Sequence, residues 1–392
     1  MSASGEFAAH ARLRAARAHL VDWLVAAVYP LWAHLGIDRV GGGFVECLHQ
    51  DGNAPNVARR ARVPARQIFS FAQAPRFGWE GDAGGIVARG LEDFVGRYRR
   101  SDGLFRTLVA ADGTVVCDDA LLYDQAFALL ALAAAATCGD AGVCERTAVD
   151  LRERIGACFR TADGAFRSTD RADDAREANP HMHLLEACQT WARIGADPGW
   201  ARWCGALTDL ALRRFAHAPS GAFGESFTHD WRRTPGPAGS RIEPGHQFEW
   251  AWLFLRHEPP AETTRVAALR LYAIGARHGV VEGVAVDACD ADLRVTSRGA
   301  RLWPQTERLK AALAAAMLTG DEDLWLAAAD AAESLVPYLA TPIPGLWFDF
   351  RTPAGAYPPT PAPASSLYHL VGAIGELDAA MSAAQPRGAS SG

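Results

Sequence analysis

A short glycine–aromatic turn that keeps returning constrains this chain more than any other feature. It occurs at Gly43-Phe44, Gly103-Leu104-Phe105, Gly164-Ala165-Phe166, Gly221-Ala222-Phe223 and Gly345-Leu346-Trp347, with a degenerate copy at Gly283-Val284. Successive glycines lie 60, 61, 57, 62 and 62 residues apart. Between the turns run Ala-rich amphipathic segments: Ala11–Leu35, Gly84–Arg100, Leu121–Cys138, Glu145–Arg160, His183–Ile194, Trp200–Ala216, Gln247–Arg256, Ala261–His278, Glu307–Leu318, Leu324–Leu339 and Leu367–Met381. Long alternating β patterns are absent, so the repeating unit reads as two helices joined to the next pair by a small hairpin. A unit of that size cannot bury its apolar face alone and must stack on its neighbours. Six such units can close on themselves. We therefore expect an all-α (α/α)6 barrel, a toroid with short β-hairpins between helix pairs, in preference to an open α-solenoid, because neither end carries a polar capping repeat. The ring takes residues 1–392 as a single domain, with about 385–392 as a flexible tail.

The repeat also orders the unusual residues. About 20 residues after each glycine, at the start of a helix, stands a polar or aromatic cluster. These are Arg62 to Gln67, Tyr123-Asp124-Gln125, Asn179-Pro180-His181-Met182-His183, Pro244-Gly245-His246, Trp303-Pro304-Gln305-Thr306-Glu307, and Ser365 to His369. Four include Pro, which suits a first helical turn. In an alternating ring these helix starts share one end and converge on a central pocket. The pocket then holds His183, His246 and His369 with Arg66, Tyr123, Asn179 and Trp303, and the carboxylates Asp124, Glu186, Glu249 and Glu307. His181 faces away if His183 faces in, since residues two apart cannot share a helix face. His183 is preferred because Glu186 follows three residues later, and Glu249 stands in the same relation to His246. A carboxylate beside an imidazole fixes its tautomer and holds it near the pKa that proton transfer requires. Arg241 belongs either to the pocket or to its rim.

Composition narrows the chemistry. A net charge of −6 gives no support for nucleic acid or an anionic membrane as partner. The apolar run from Val21 to Ile37 is interrupted by Asp22, Pro30 and His34, and the N-terminus lacks a secretory pattern, so a cytoplasmic protein is expected. Eight cysteines without metal-ligand spacing read as reduced core residues. There are 38 Arg but one Lys, Lys310, so any Schiff-base chemistry would have to use it. Zinc-protease, phosphate-loop, dinucleotide and nucleophile-elbow motifs are missing. We expect neither metal nor cofactor. What remains is proton transfer by histidines on a polyhydroxylated ligand, which fits aldose–ketose isomerisation or epimerisation through an enediolate.

At Asn179-Pro180-x-Met182-His183-Leu184-Leu185-Glu186-Ala187, Pro244 to Trp250 and Trp303 to Glu307, the chain resembles the N-acylglucosamine 2-epimerase superfamily. The likeness runs from Gly41-Gly42-Gly43 to His369-Leu370. It implies an (α/α)6 barrel and an activity among N-acetylglucosamine 2-epimerases, cellobiose 2-epimerases, and mannose or sulfoquinovose isomerases. By this resemblance His246 and His369 are the acid/base pair. His369 removes the C2 proton and returns it to C1, while His246 assists ring opening or reprotonates C2 from the other face. Glu249 orients His246, Arg66 holds the enediolate oxygens, and His183, Asn179, Tyr123 and Trp303 hold hydroxyls and the sugar ring. The stretch Ala364-Ser365-Ser366 departs from the Lys/Gly-rich segment of several isomerases. The expected reaction is D-mannose to D-fructose through a cis-enediolate, without a cofactor, in a monomer or homodimer. Alternatives are a 2-epimerase of the N-acetylglucosamine or cellobiose type, an (α/α)6 glycoside hydrolase, and a non-enzymatic helical scaffold.

Overall fold

The computed structural model describes residues 3–171, 176–256 and 260–384. The expected tail at 385–392 lies outside them. The chain opens with α1 (Ala3–Trp23), which passes through a π-helical turn at Leu24–Val28 into α2 (Tyr29–Leu35). Helices then alternate between an inner and an outer layer. The pairs are α3 (Arg62–Ala72) with α4 (Ala83–Tyr98), α5 (Leu122–Ala136) with α6 (Ala141–Phe159), and α7 (Ala178–Ile194) with α8 (Gly199–Arg214). After the short α9 (Pro237–Ser240) come α10 (Pro244–Leu255) with α11 (Glu262–His278), then α12 (Leu302–Thr319) with α13 (Glu322–Leu339). The last inner helix, α14 (Leu367–Ala383), packs against α1. This is an (α/α)6 barrel.

Burial separates the layers as physical chemistry requires. Every residue of α10 is buried, as is most of α5 and α12, because an inner helix is covered on all sides. Outer helices such as α4 and α6 bury one stripe each. Closure of the ring is visible twice. Helix α14 packs on α3, and Cys47–Leu48 pairs antiparallel with Ala362–Pro363, so the first hairpin region bonds the last. None of the described helices is long and apolar enough to cross a membrane.

The repeated glycine is the device that turns each unit. Gly43, Gly103, Gly164, Gly221, Gly283 and Gly345 all have positive φ, between 71° and 95°, where a side chain would be strained. Four of these hairpins, those of Gly103, Gly164, Gly221 and Gly283, are then fastened to the next inner helix by one polar side chain. The amide of Gln125 accepts from the Phe105 N–H at 2.8 Å and donates to the Phe105 carbonyl at 2.8 Å. Gln247 does the same for Phe223, and Gln305 for Ala285. In the third unit His181 takes this place: its Nε2 accepts from Phe166 N–H at 3.1 Å and its Nδ1 meets the Glu177 carbonyl at 2.7 Å. Buried peptide groups of the hairpins thus find partners. Part of each helix-start cluster is structural.

Several boundaries differ from the sequence reading. Helix α7 starts at Ala178 and α12 at Leu302, five residues ahead of the expected starts at His183 and Glu307. Pro180 and Pro304 sit in first turns, where proline costs nothing, so the helices begin before the periodic apolar residues do. The first expected helix, Ala11–Leu35, begins at Ala3 and is interrupted by the π turn. Among the described residues all eight cysteines are free; Cys144, Cys188, Cys204 and Cys289 are buried, whereas Cys138 and Cys158 are exposed.

Candidate active site

The six inner helices start at one end of the barrel, and their first turns surround a cavity of about 170 Å³. Its wall is Arg66, Tyr123, Asn179, His183, Glu243, His246, Glu249, Arg301, Trp303 and His369. Eight of the nine residues assigned to catalysis, sugar binding or the rim from sequence therefore meet there, whereas three further carboxylates expected in the pocket do not line it: Asp124 accepts from Arg62 Nε at 3.0 Å, Glu186 meets His183 and Glu307 meets His369. The ninth, Arg241, lies outside, in a wider cup of about 600 Å³ that shares Tyr123, Asn179, Glu243 and His246 with the inner cavity. Its side chain is 41% exposed and donates to Glu243 at 2.9 Å, so Arg241 belongs to the rim.

The register explains why these side chains face inward. Tyr123, Asn179 and Trp303 stand two residues before the hairpin-fastening Gln125, His181 and Gln305. His183, Glu249 and Glu307 stand two residues after His181, Gln247 and Gln305. Residues two apart point to different sides, so the fastened side faces the hairpin and the others face the axis. Trp303 packs against both imidazoles. Its ring centroid is 5.0 Å from that of His246 and 5.7 Å from that of His369.

The three cavity histidines live in different surroundings. His246 Nδ1 lies 2.7 Å from Glu225 Oε2. Glu225 comes from the fourth hairpin, and its other oxygen accepts the Glu243 backbone N–H at 3.0 Å. Burial pulls the His246 pKa down, but Glu225 and Glu243, followed by Glu249, outweigh it and raise it to about 9. His369 Nδ1 lies 2.8 Å from Glu307 Oε1. There burial, reinforced by the cations Arg66 and Lys310, holds the pKa well below the ordinary imidazole value. His183 Nδ1 meets Glu186 Oε2 at 3.2 Å, and burial lowers its pKa to about 4. At neutral pH the cavity thus holds one imidazolium and two neutral imidazoles.

One sequence expectation needs correction. Glu249 does not carry the hydrogen bond that orients His246. It lies 3.8 Å from His183, and its Oε1 has no hydrogen-bond partner. His246 occupies the first turn of α10, where its ring reaches the neighbouring hairpin, and the carboxylate that meets it is Glu225, 21 residues earlier. Burial and then the nearby Glu307 raise the Glu249 carboxyl well above the usual range.

Arg66 is bonded to Tyr123 Oη at 2.7 Å and to the Ser365 carbonyl at 3.3 Å, and its Nε has no partner. Asn179 Oδ1 is likewise buried and unpaired. Buried polar atoms are seldom left so in a resting protein; at a cavity wall they are donors and acceptors held ready for a ligand. Arg301 and Glu243, both missed in the sequence, bond at 2.8 Å, and Asp287 holds Arg301 from behind at 2.9 Å. The sequence offered a signal for them, since each caps an inner helix immediately before a motif already singled out: Glu243 before Pro244, and Arg301 before Leu302.

Two sets of ligand-type atoms cluster within 4.8 Å: His183, Glu186 and Glu249, and Glu249, Glu307 and His369. The donor set does not favour a metal, because an ammonium is already among them. Lys310 Nζ is 2.6 Å from Glu307 Oε2. Lys310 is only 2% exposed and does not line the cavity, which leaves it no access to a substrate carbonyl for Schiff-base chemistry.

Comparison with known proteins identifies the family. The family model described as N-acylglucosamine 2-epimerase (GlcNAc 2-epimerase) matches residues 42–373. A curated relative from Rhizobium meliloti (strain 1021), named mannose-6-phosphate isomerase, is 40% identical over 92% of this chain and 96% of its own. A D-mannose isomerase from Thermobifida fusca is 28% identical over 80% of each chain. The solved cellobiose 2-epimerase of Spirochaeta thermophila superposes with a TM-score of 0.84 at 23% identity, covering 95% of this chain and 98% of that one.

Proposed function

The chain belongs to the N-acylglucosamine 2-epimerase family and is a sugar isomerase or epimerase, and from that premise we propose that it interconverts D-mannose and D-fructose. The relatives named for mannose or mannose 6-phosphate isomerisation support this choice of sugar. The observation that carries the isomerase reading is the contrast between His246, set against Glu225 and Glu243, and His369, set beside Arg66.

In this reading His246, as imidazolium, promotes opening of the sugar ring and then donates its proton to O1 of the open-chain aldehyde. His369, neutral, takes the C2 proton on Nε2 as the C1–C2 double bond forms, and Arg66 faces the oxygens on which negative charge develops. The enediol then collapses the other way. The O2 proton returns to His246 as the C2 carbonyl forms, and the His369 proton goes to C1. Each histidine ends in the state in which it began, so the next turnover needs no reset. A two-base epimerase would leave the protons exchanged between the histidines after every turnover. One direction of epimerisation would then have to start with His246 neutral and His369 protonated, the state these surroundings disfavour. Isomerisation suits the site better.

Incubation in D2O followed by NMR tests the proposal. Mannose should give fructose that carries deuterium at C1 wherever the proton held by His369 exchanges with solvent before its return, and no deuterium elsewhere, with activity retained in EDTA. Deuterium at C2 of an epimeric aldose, without ketose, would sink the isomerase reading in favour of a 2-epimerase. The outer cup has room for a larger substrate, so mannose 6-phosphate, N-acetylglucosamine and cellobiose belong in the same experiment. A clear preference for any of them would replace mannose as the substrate.

A further inference from the structure

The sequence spells 38 of its 39 basic residues as Arg, and the exception lies under the candidate active site. Lys310, one turn along α12 from Glu307, is 2% exposed. Its Nζ is 2.6 Å from Glu307 Oε2, and Glu307 Oε1 is 2.8 Å from His369 Nδ1. One carboxylate therefore bridges the ammonium of the chain's one lysine and the imidazole assigned as base. The ammonium also lies 3.6 Å from the centre of the Trp252 ring, a cation–π contact that helps hold a charge away from water.

We propose that Lys310 is a positioning residue: it keeps Glu307 ionised so that Glu307 fixes the His369 tautomer with Nε2 free, a task a guanidinium cannot perform in its place. This rests on the reading of His369 as the base.

The argument follows from charge and space. The groups around this centre come from every inner element packed on it: Glu186 and His183 from α7, Glu249 and Arg256 from α10, Glu307 from α12, Tyr368 and His369 from α14, and Arg66 from α3. Three carboxyl groups share this dry space with one ammonium. Without that ammonium, the Glu307–His369 pair would take up a proton. On Glu307 the proton would reverse the hydrogen bond, leaving the hydrogen of the ring on Nε2. On His369 it would fill the lone pair outright. Either way the base is lost. An Arg at this position would keep the charge, but it is wider and planar and brings five N–H donors into a space built around a compact ammonium.

The experiment measures kcat and KM for sugar interconversion against pH, from acid to mildly alkaline, in the wild type, Lys310→Met and Lys310→Arg. Lys310→Met should lower kcat at neutral pH by roughly tenfold to a hundredfold, leave KM within about threefold, and move the acid limb up by at least about one pH unit. Lys310→Arg should also fail to restore kcat. An acid limb that stays in place, or full activity in Lys310→Arg, would overturn the proposal and reduce Lys310 to a space filler. If Lys310→Met does not fold, Lys310→Met/Glu307→Gln is compared with Glu307→Gln alone. Equal kcat in the two supports a role exercised through Glu307, and a further loss overturns it. Deuterium placement in the same reactions separates this test from the isomerase reading. Label at C2 of an epimeric aldose would end that reading while the acid limb, measured in the direction in which His369 removes the C2 proton, still reports on Lys310, because that step needs His369 unprotonated in either reaction.

Discussion

His246 and His369 are built from the same parts and set to opposite states. Each is an imidazole on the first turn of an inner helix, bonded through Nδ1 to a carboxylate and packed against Trp303. The difference lies one layer further out. Behind His246, Glu225 spends its second oxygen on a backbone N–H, and a second carboxylate, Glu243, stands close by. Behind His369, Glu307 faces an ammonium, and Arg66 stands nearby. A carboxylate partner alone does not decide whether an imidazole is charged. The charges next to that partner do.

The largest effect that could break this comparison comes from removing the rings. His369→Asn should cost about 10³-fold or more in kcat and abolish exchange of the C2 hydrogen with solvent, since the group assigned as base is gone. His246→Asn should cost less, about 10²-fold, and should retain slow C2 exchange, because the base remains. Equal losses with both exchanges abolished would contradict the division of labour. Glu225→Gln removes the charge but keeps the shape. It should lower kcat by roughly tenfold and shift the alkaline limb of the pH profile down from near pH 9 by more than one unit, as measured by steady-state rates.

The same contrast predicts how stability follows pH. His246 has a folded pKa above its unfolded one, so its contribution is complete below about pH 6.5 and is lost as pH rises through about 9. His181 and His183 are depressed to about 4, so their contribution is complete above about pH 6.5 and is lost as pH falls toward 4. The melting temperature should therefore peak near pH 6.5 and drop by on the order of a few degrees on each side. His246→Gln should flatten the alkaline side only. Arg241→Gln, at the rim, should change kcat/KM by less than about threefold with mannose, which steady-state kinetics would show.

Much of this was legible in the sequence because a repeat turns weak signals into a register. Six glycines at a common spacing gave the barrel, and the helix starts gave eight of the cavity's residues. Local spacing also paired His183 with Glu186. It failed for His246 and Glu249 because a side chain on a first turn can bond a residue of the adjoining loop, and Glu225 gives no local sign of that contact. Likewise the partner of His369 comes from another inner helix, 62 residues away. The fastening role of Gln125, Gln247, Gln305 and His181 was hidden for a different reason. Polar residues at a helix start read equally well as pocket or as hairpin anchor until the backbone is in place.

Imidazole NMR on the unliganded protein, with ring nitrogens labelled and resonances assigned through His246→Asn and His369→Asn, measures the two states directly. At pH 7 His246 should give the signature of an imidazolium that titrates near 9, and His369 that of a neutral ring protonated on Nδ1. Two neutral rings, or a charged His369 beside a neutral His246, would contradict the account.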